Sequence, residues 1–322
     1  MLPYVLNWGV VATGGIADVV TADMRKVPGV NVLAVSSRQL ARAREFAAKH
    51  GVERAYGDYR ELLADPDVHV VYVATPHGQH HEVAKAALEA GKHVLCEKAI
   101  TLTVAQAEDL VATARARNLF LMEAMWTRFN PLIRDVRALA ANDAIGEVRT
   151  IRADFGFQHD FDAQDRLWAK EAGGGALLDL GIYPVALAHA LLGEPESVTA
   201  VGALAPTDVD ADAGVLLSYP HGAHALLSCS LVATYETKAE IVGTAGRIQI
   251  ADPFYNPTRI VVNGVEHTCA DGGYTHQIRE VVERVTAGDT ESPEMTLDDT
   301  LAVMRTLEAA LHQIGVDYTT VA

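Results

Sequence analysis

Gly9, Ala12, Gly14 and Ala17 in GVVATGGIADVV have the spacing of a degenerate dinucleotide-binding fingerprint. Small residues there let a loop backbone, here Ala12, Thr13, Gly14, Gly15 and Ile16, approach a pyrophosphate while the next helix points its free amides at the anion. A plain tight turn would use the same residues. SSRQ places Ser37 and Arg38 where an acidic residue would bond the ribose 2′-hydroxyl of NAD. A hydroxyl and a guanidinium suit the 2′-phosphate of NADP, although a solvated arginine opening a helix fits as well. In CEKAITL, Lys98 follows Glu97. On the residues alone it reads as a solvated strand-end charge. In GGGALLDLGIYP, Asp179 and Tyr183 stand four apart, which on an α-helix sets both on one face. Gly173–Gly175 would let backbone approach a ligand, and Pro184 should bend the helix by withholding a bond from the Leu180 carbonyl. Asp179 then either accepts a bond from a substrate hydroxyl or is a buried carboxylate satisfied by backbone amides.

These residues need a framework. The first third alternates β-branched runs (VLNWGVV, VNVLAVSS, VHVVYVAT, KHVLCE) with helical spacing (LARAREFAAKHG, HHEVAKAALEAG, VAQAEDLVATARARN). That rhythm predicts βαβ units on a parallel sheet, with Gly51 and Gly91 closing helices and LFLMEAM as one more strand. After Phe129 the rhythm changes. A helix, PLIRDVRALAAN, leads to an alternating strand, EVRTIRADFGF, then an irregular stretch and an apolar helix, ALLDLGIYPVALAHALLG. Four further strand-like stretches joined by turns at PHG and GTAG precede two amphipathic helices. The predicted fold is α/β: an N-terminal Rossmann dinucleotide-binding domain over 1–125 and a C-terminal α+β domain over 126–322, built on a largely antiparallel sheet.

The 322 residues and 49% hydrophobic content suit two domains. A net charge of −16 without a Lys/Arg cluster argues against a nucleic-acid or anionic-membrane partner. The N-terminal run reads as a strand, not as a signal peptide or span. Cys96, Cys229 and Cys269 are far apart, which fits a reducing cytoplasm and neither a disulfide framework nor zinc. His77 and His81 share helical spacing, but only Glu82 is at hand to complete a ligand set, so no metal is expected. His80 should open a helix near the nicotinamide.

VYVATPHGQHHEVAKAALEAGKHVLCEKA resembles the glucose–fructose oxidoreductase/inositol dehydrogenase (Gfo/Idh/MocA) family, in which a strand ending in Thr-Pro (Thr75, Pro76) precedes a histidine-bearing helix and a GKHVLCEK run. The resemblance covers nearly the whole chain and includes MEAMWTRFNP and GGGALLDLGIY. These two stretches are most similar to the branch holding dimeric dihydrodiol dehydrogenases and NADP-dependent xylose dehydrogenases. The resemblance implies that Lys98 lies beside nicotinamide and substrate and that Asp179 faces the same site. It also implies that Tyr183, where much of the family has histidine, is the proton-transfer group. The chain departs from the pattern at Ala99, usually proline, and at Ala12, usually glycine.

A free tyrosine titrates near about 10, and a nearby ammonium favours its phenolate. Lys98 and Tyr183 therefore make a sensible proton-transfer pair for oxidising a carbinol. The cofactor-binding set is expected to include Thr75, Pro76, His77, His80, Glu97 and Lys98, with Arg166 and Trp168 closing over the nicotinamide. Trp126, Arg128, Phe155, Asp179 and Tyr183 would line the substrate. The leading reading is an NADP-dependent oxidoreductase, with NAD the less favoured cofactor, acting on a sugar, polyol or cyclic diol. The alternatives are a glycoside hydrolase that retains its nicotinamide and a nucleotide-sensing regulator without turnover. Apolar strands such as AGVLLSY and ALLSCSLVA suit a homodimer or larger homo-oligomer through a bare sheet face.

Overall fold

The structure is a computed structural model that describes residues 5–321, so the expected outer bounds Met1 and Ala322 lie outside the described residues. Its contacts divide it into two compact units. The first holds 5–101, 105–124 and 273–297, and the second holds 102–104, 125–272 and 298–321. A single boundary after residue 125 was expected; the contacts instead group 273–297 with the first unit.

The first unit is a six-stranded sheet of β1 (Leu6–Val11), β2 (Val30–Ser36), β3 (Arg54–Tyr56), β4 (Val70–Val73), β5 (His93–Cys96) and β6 (Leu121–Glu123). The order is β3-β2-β1-β4-β5-β6, with every pair parallel. Helices α1 (Gly15–Met24), α2 (Leu40–His50), α3 (Tyr59–Leu63), α4 (His80–Glu89) and α5 (Val104–Arg117) lie between the strands in sequence. A parallel sheet is covered on both faces, and VVYV of β4 is accordingly buried at all four positions. The reversal of strand order between β1 and β4 places the ligand crevice at the carboxyl ends of these strands. Gly9 belongs to β1 itself and not to the loop after it. A Cβ on it would come 2.6 Å from Cδ2 of fully buried Leu62, so its smallness seats α3 against the sheet.

The second unit begins with α6 (Pro131–Ala141), capped by the Asn130 side chain on the Leu132 amide. Then come β7 (Val148–Gly156), α7 (Ile182–Leu192), β8 (Ser197–Leu204), β9 (Asp210–Ser218), β10 (His224–Ser230), β11 (Ala239–Gly243), β12 (Arg247–Ile250), β13 (Arg259–Val262) and β14 (Val265–Thr268). α8 (Thr275–Ala287) belongs to the first unit, and α9 (Leu297–Ile314) begins at its border with the second. The eight strands run β14-β13-β12-β11-β7-β10-β9-β8, antiparallel except for β7 with β10. Alternation sends Ala225, Leu227 and Cys229 of β10 inward, with Ala213, Val215 and Leu217 of β9. Leu216, Leu226 and Val201 remain exposed. TRIVVNGVEHT, read as one strand-like stretch, is a hairpin turning at Asn263-Gly264, both with positive φ.

Residues 170–192 are apolar enough to cross a membrane, with a mean hydropathy of 1.6, but 83% of that window is buried inside the protein, as in a core helix. The helix has a local irregularity. Leu177–Gly181 forms a π-helical turn before α7 continues from Ile182. Pro184 has no N–H for the Leu180 carbonyl, and the widened turn lies directly ahead of it. Asp179 therefore sits in the π turn and Tyr183 in α7, which corrects the expectation of a single α-helical face with strict i, i+4 spacing.

Gly9→Ala should lower the unfolding free energy by ~1–3 kcal/mol through overpacking against Leu62. Urea unfolding checks this, and an unchanged midpoint would contradict the packing role.

Candidate active site

In the first unit the expected cofactor residues gather where parallel strands end. Ala12 follows β1 with φ +89, in the left-handed region that favours glycine. The residue is therefore alanine on a glycine-type backbone. Gly14 precedes α1, which has no side-chain cap, and a Cβ on Gly14 or Gly15 would meet nothing within 4 Å. Open space before uncapped helix amides fits an anionic group. Ser37 and exposed Arg38 follow β2, and Arg38 makes no hydrogen bond or ion pair among the described residues. Thr75 follows β4, and its buried Oγ1 has no hydrogen-bond partner among the described residues. Together these groups fit a dinucleotide carrying a 2′-phosphate.

Lys98 lies just beyond β5, half-buried, on a backbone held from several sides. His77 Nε2 is 3.0 Å from the Lys98 carbonyl. His80, at the start of α4, spans two loops, with Nδ1 2.8 Å from the Ala99 carbonyl and Nε2 2.8 Å from that of Thr75. Burial, then the neighbouring His77, brings the His80 pKa down to about 3, so the ring is neutral and one nitrogen donates. The Tyr72 hydroxyl donates to Glu97 Oε1 at 2.6 Å, while the Lys98 amide faces Glu97 Oε2 at 3.3 Å. Burial, then the Glu97 charge, pushes the Tyr72 pKa well up, so this hydroxyl keeps its proton. The Lys98–Ala99 peptide is cis. Cys96 is fully buried and its thiol is pushed up by burial, which leaves it inert beside Lys98.

In the second unit, Tyr183 is nine-tenths buried among aromatic rings. The Trp126 indole N–H donates to the Tyr183 oxygen at 3.0 Å. Tyr255 stacks on Phe155 at 4.8 Å and 20°, and its centroid is 5.2 Å from that of Tyr183. Phe155 is 5.7 Å from Tyr183, and Trp126 is 5.8 Å from Tyr255. An indole donates only, so this contact favours negative charge on the tyrosine oxygen. Asp179 Oδ1 is 3.2 Å from the Arg166 guanidinium, on a side chain of Arg166 that is 57% exposed.

Two of the expected residues have partners of their own. Trp168 is 1% exposed and donates its indole N–H to the Asp160 carbonyl between His159 and Phe161. It is the core of its own loop. Arg128 is buried and pairs with Asp299 at 3.4 Å. The histidines of PHGQHH diverge: His77 and His80 face carbonyls and His81 faces Asp109. Among the described residues no set of three or more His, Cys, Asp or Glu is arranged for a metal. Tyr72 and Tyr255 escaped the sequence reading. Tyr72 looks like one more apolar strand residue, and no spacing ties Tyr255 to a helix it reaches only through the fold.

Comparison with known proteins gives concordant relatives. A family profile described as an oxidoreductase family with an NAD-binding Rossmann fold (GFO/IDH/MocA) matches residues 6–125, and a GFO/IDH/MocA C-terminal domain profile matches 133–249. A trans-1,2-dihydrobenzene-1,2-diol dehydrogenase of Xenopus tropicalis is 40% identical over 328 residues, 97% of this chain and 99% of the relative. The human protein of that name is 38% identical over 331 residues, 97% and 98% of the two chains. Among solved structures, a 3-ketoreductase from Actinomadura kijaniata in complex with NADP and TDP-benzene superposes with a TM-score of 0.86 at 30% identity, over 96% of this chain and 98% of that one. An aldose-aldose oxidoreductase from Caulobacter crescentus complexed with glycerol gives 0.86 at 25% identity, over 96% and 97%.

The neutral His80 has a consequence for pH dependence. Above its ordinary value of 6.5 the ring is neutral folded and unfolded. Below that, the unfolded chain takes a proton that the folded ring refuses, so stability falls as pH drops from 6.5 towards about 3. Between pH 6.5 and 5 this amounts to about 2 kcal/mol. Urea midpoints across that range should fall less for His80→Gln than for the native protein, and equal slopes would contradict the neutral clamp.

Proposed function

The chain belongs to the GFO/IDH/MocA oxidoreductase family, and from that membership we propose that it is an NADP-dependent dehydrogenase of cyclic diols or sugars. The observation that carries the proposal is the Tyr183 oxygen, fixed by the Trp126 N–H inside an aromatic cluster. Oxidation of a carbinol releases a hydride from carbon and a proton from oxygen. When bound, NADP⁺ accepts the hydride. Tyr183 accepts the proton, and the Trp126 donor stabilises the charge the phenol oxygen carries beforehand. Lys98 supplies the ammonium that favours that phenolate and donates to the substrate oxygen. In the reverse direction Tyr183 gives its proton to the carbonyl oxygen of a ketone as the carbonyl carbon gains a hydride.

The nucleotide reading rests on the residues after β1, β2 and β4. The amides around Gly14 and Gly15 take the pyrophosphate, Arg38 and Ser37 take the 2′-phosphate, and Thr75 Oγ1 gains a partner. The solved relative that holds NADP supports that choice. For the substrate, flat apolar surface from Phe155 and Tyr255 beside Asp179 and Arg166 suits a ring bearing hydroxyls. The dihydrodiol dehydrogenases and the sugar oxidoreductase among the relatives act on such compounds by name.

The outer face of the second unit's sheet supports a homodimer. Leu216, Leu226 and Val201 are exposed there around a groove of about 400 Å³ that also includes Arg152, Asp154 and Ser228. Apolar side chains at a sheet centre are normally covered. Three free cysteines, two of them buried, support a reducing cytoplasmic setting.

With NADP⁺ and either trans-1,2-dihydrobenzene-1,2-diol or D-xylose, the native protein should form NADPH. Tyr183→Phe and Lys98→Ala should each lower kcat by ~10²–10⁴-fold. Arg38→Ala should raise KM for NADP⁺ and leave that for NAD⁺ unchanged. A Tyr183→Phe enzyme of native kcat would remove the proposed proton acceptor. Sedimentation should give a dimer that Leu216→Glu with Leu226→Glu converts to monomer, and a native monomer at micromolar concentration would refute the dimer.

A further inference from the structure

The GGG stretch ahead of the catalytic helix packs against a buried carboxylate. Asp210, the first residue of β9, is fully buried, and its Oδ2 accepts the Leu177 amide at 2.6 Å. The Ala176 amide also faces this carboxylate. Oδ1 has no hydrogen-bond partner among the described residues. It fits against Gly175, whose φ is +106; a Cβ there would lie 2.3 Å from Oδ1 and 3.2 Å from the Tyr318 hydroxyl. Tyr318, near the end of the chain, donates its hydroxyl to the Gly174 carbonyl. The backbone that enters the π turn is thus gripped by one carboxylate and one phenol from distant parts of the sequence.

We propose that Asp210 is the positioning residue of the catalytic helix, holding the Ala176 and Leu177 amides so that the π turn and α7 present Asp179 and Tyr183 in the geometry the reaction needs. The role rests on the proton-transfer reading of Tyr183. A carboxylate at the amide end of a helix also has the favourable sense for the helix dipole. Through the Gly175–Tyr183 segment, displacement of Leu177 carries directly to Tyr183. The charge is not secure, however. Burial first, opposed by the amide bonds, brings the Asp210 pKa up to about 7. The other titratable groups facing it are Asp212 on the same strand, Cys229 on β10 and Tyr318. Burial holds the Cys229 and Tyr318 values up, so both stay neutral and Asp210 is the group of the cluster that ionises near neutrality.

Asp210→Asn keeps the shape and removes the charge. In the NADP-bound protein, the Leu177 amide proton should move downfield in NMR spectra as pH rises through about 7, and this titration should vanish in Asp210→Asn. With trans-1,2-dihydrobenzene-1,2-diol and NADP⁺, the variant should lose ~10-fold in kcat with KM unchanged, because the group aims the acceptor without touching substrate. It should also lose the limb of the kcat–pH profile near pH 7. A variant with native kcat and an unchanged pH profile would overturn the role. If Asp210→Asn does not fold, the native titration decides, and a Leu177 amide indifferent to pH between 5 and 9 refutes the anchor. If the native protein does not turn over the diol, the functional reading fails, while the amide titration still tests the Asp210 contact.

Discussion

The Trp126 indole N–H on the Tyr183 oxygen is the polar contact at the centre of the second unit's aromatic cluster. A phenol buried in an aromatic cluster gains nothing as a base unless its anionic form is stabilised, and burial alone works the other way. A donor that cannot accept a proton settles the direction of the bond. That donor comes from the turn before α6, and the acceptor comes from α7. Phe155 of β7 and Tyr255 of the loop after β12 pack around them. Their joint position follows from how α6, α7 and the sheet bury their apolar faces. The π turn before α7 belongs to the same arrangement: with Pro184 unable to donate, the preceding turn widens and Asp179 is set off from the regular helical face.

The first unit solves a different problem. Lys98 is on a segment without regular structure, beyond β5, and loops of that kind move unless their backbone groups are satisfied. Here His77 faces the Lys98 carbonyl, His80 lies between the carbonyls of Ala99 and Thr75 and donates to one of them, and Glu97 is fixed by the Tyr72 hydroxyl. The side chains that look most like metal ligands or bases in PHGQHH thus serve mainly as struts. The groups suited to the nucleotide are the less conspicuous ones: open glycine backbone, an unpaired arginine and a threonine hydroxyl lacking a partner.

The parallel sheet, its strand ends and the antiparallel second sheet were legible because apolar periodicity and turn residues are local signals. The family was legible too, through the motifs that hold Lys98, Asp179 and Tyr183. What was not legible depends on contacts between distant segments. Trp168 reads as a free aromatic in an irregular stretch, yet its own loop wraps it. Asp299, the partner of Arg128, comes from α9, far along the sequence. Gly9 looks like part of a phosphate loop, whereas Leu62 decides its size. Asp210 carries no signal, because a single aspartate at a strand start becomes notable only when Gly175 is found against it. The grouping of α8 with the first unit likewise depends on packing that no composition shift marks.

Direct hydride transfer from a carbinol to a free, exchangeable NADP⁺ is tested with a diol deuterated at its carbinol carbon and mass analysis of the released NADPH. One deuterium is expected on the nicotinamide of NADPH free in solution. Turnover of the substrate without labelled, dissociated NADPH would contradict it and point to a nicotinamide that is retained and re-oxidised in each cycle.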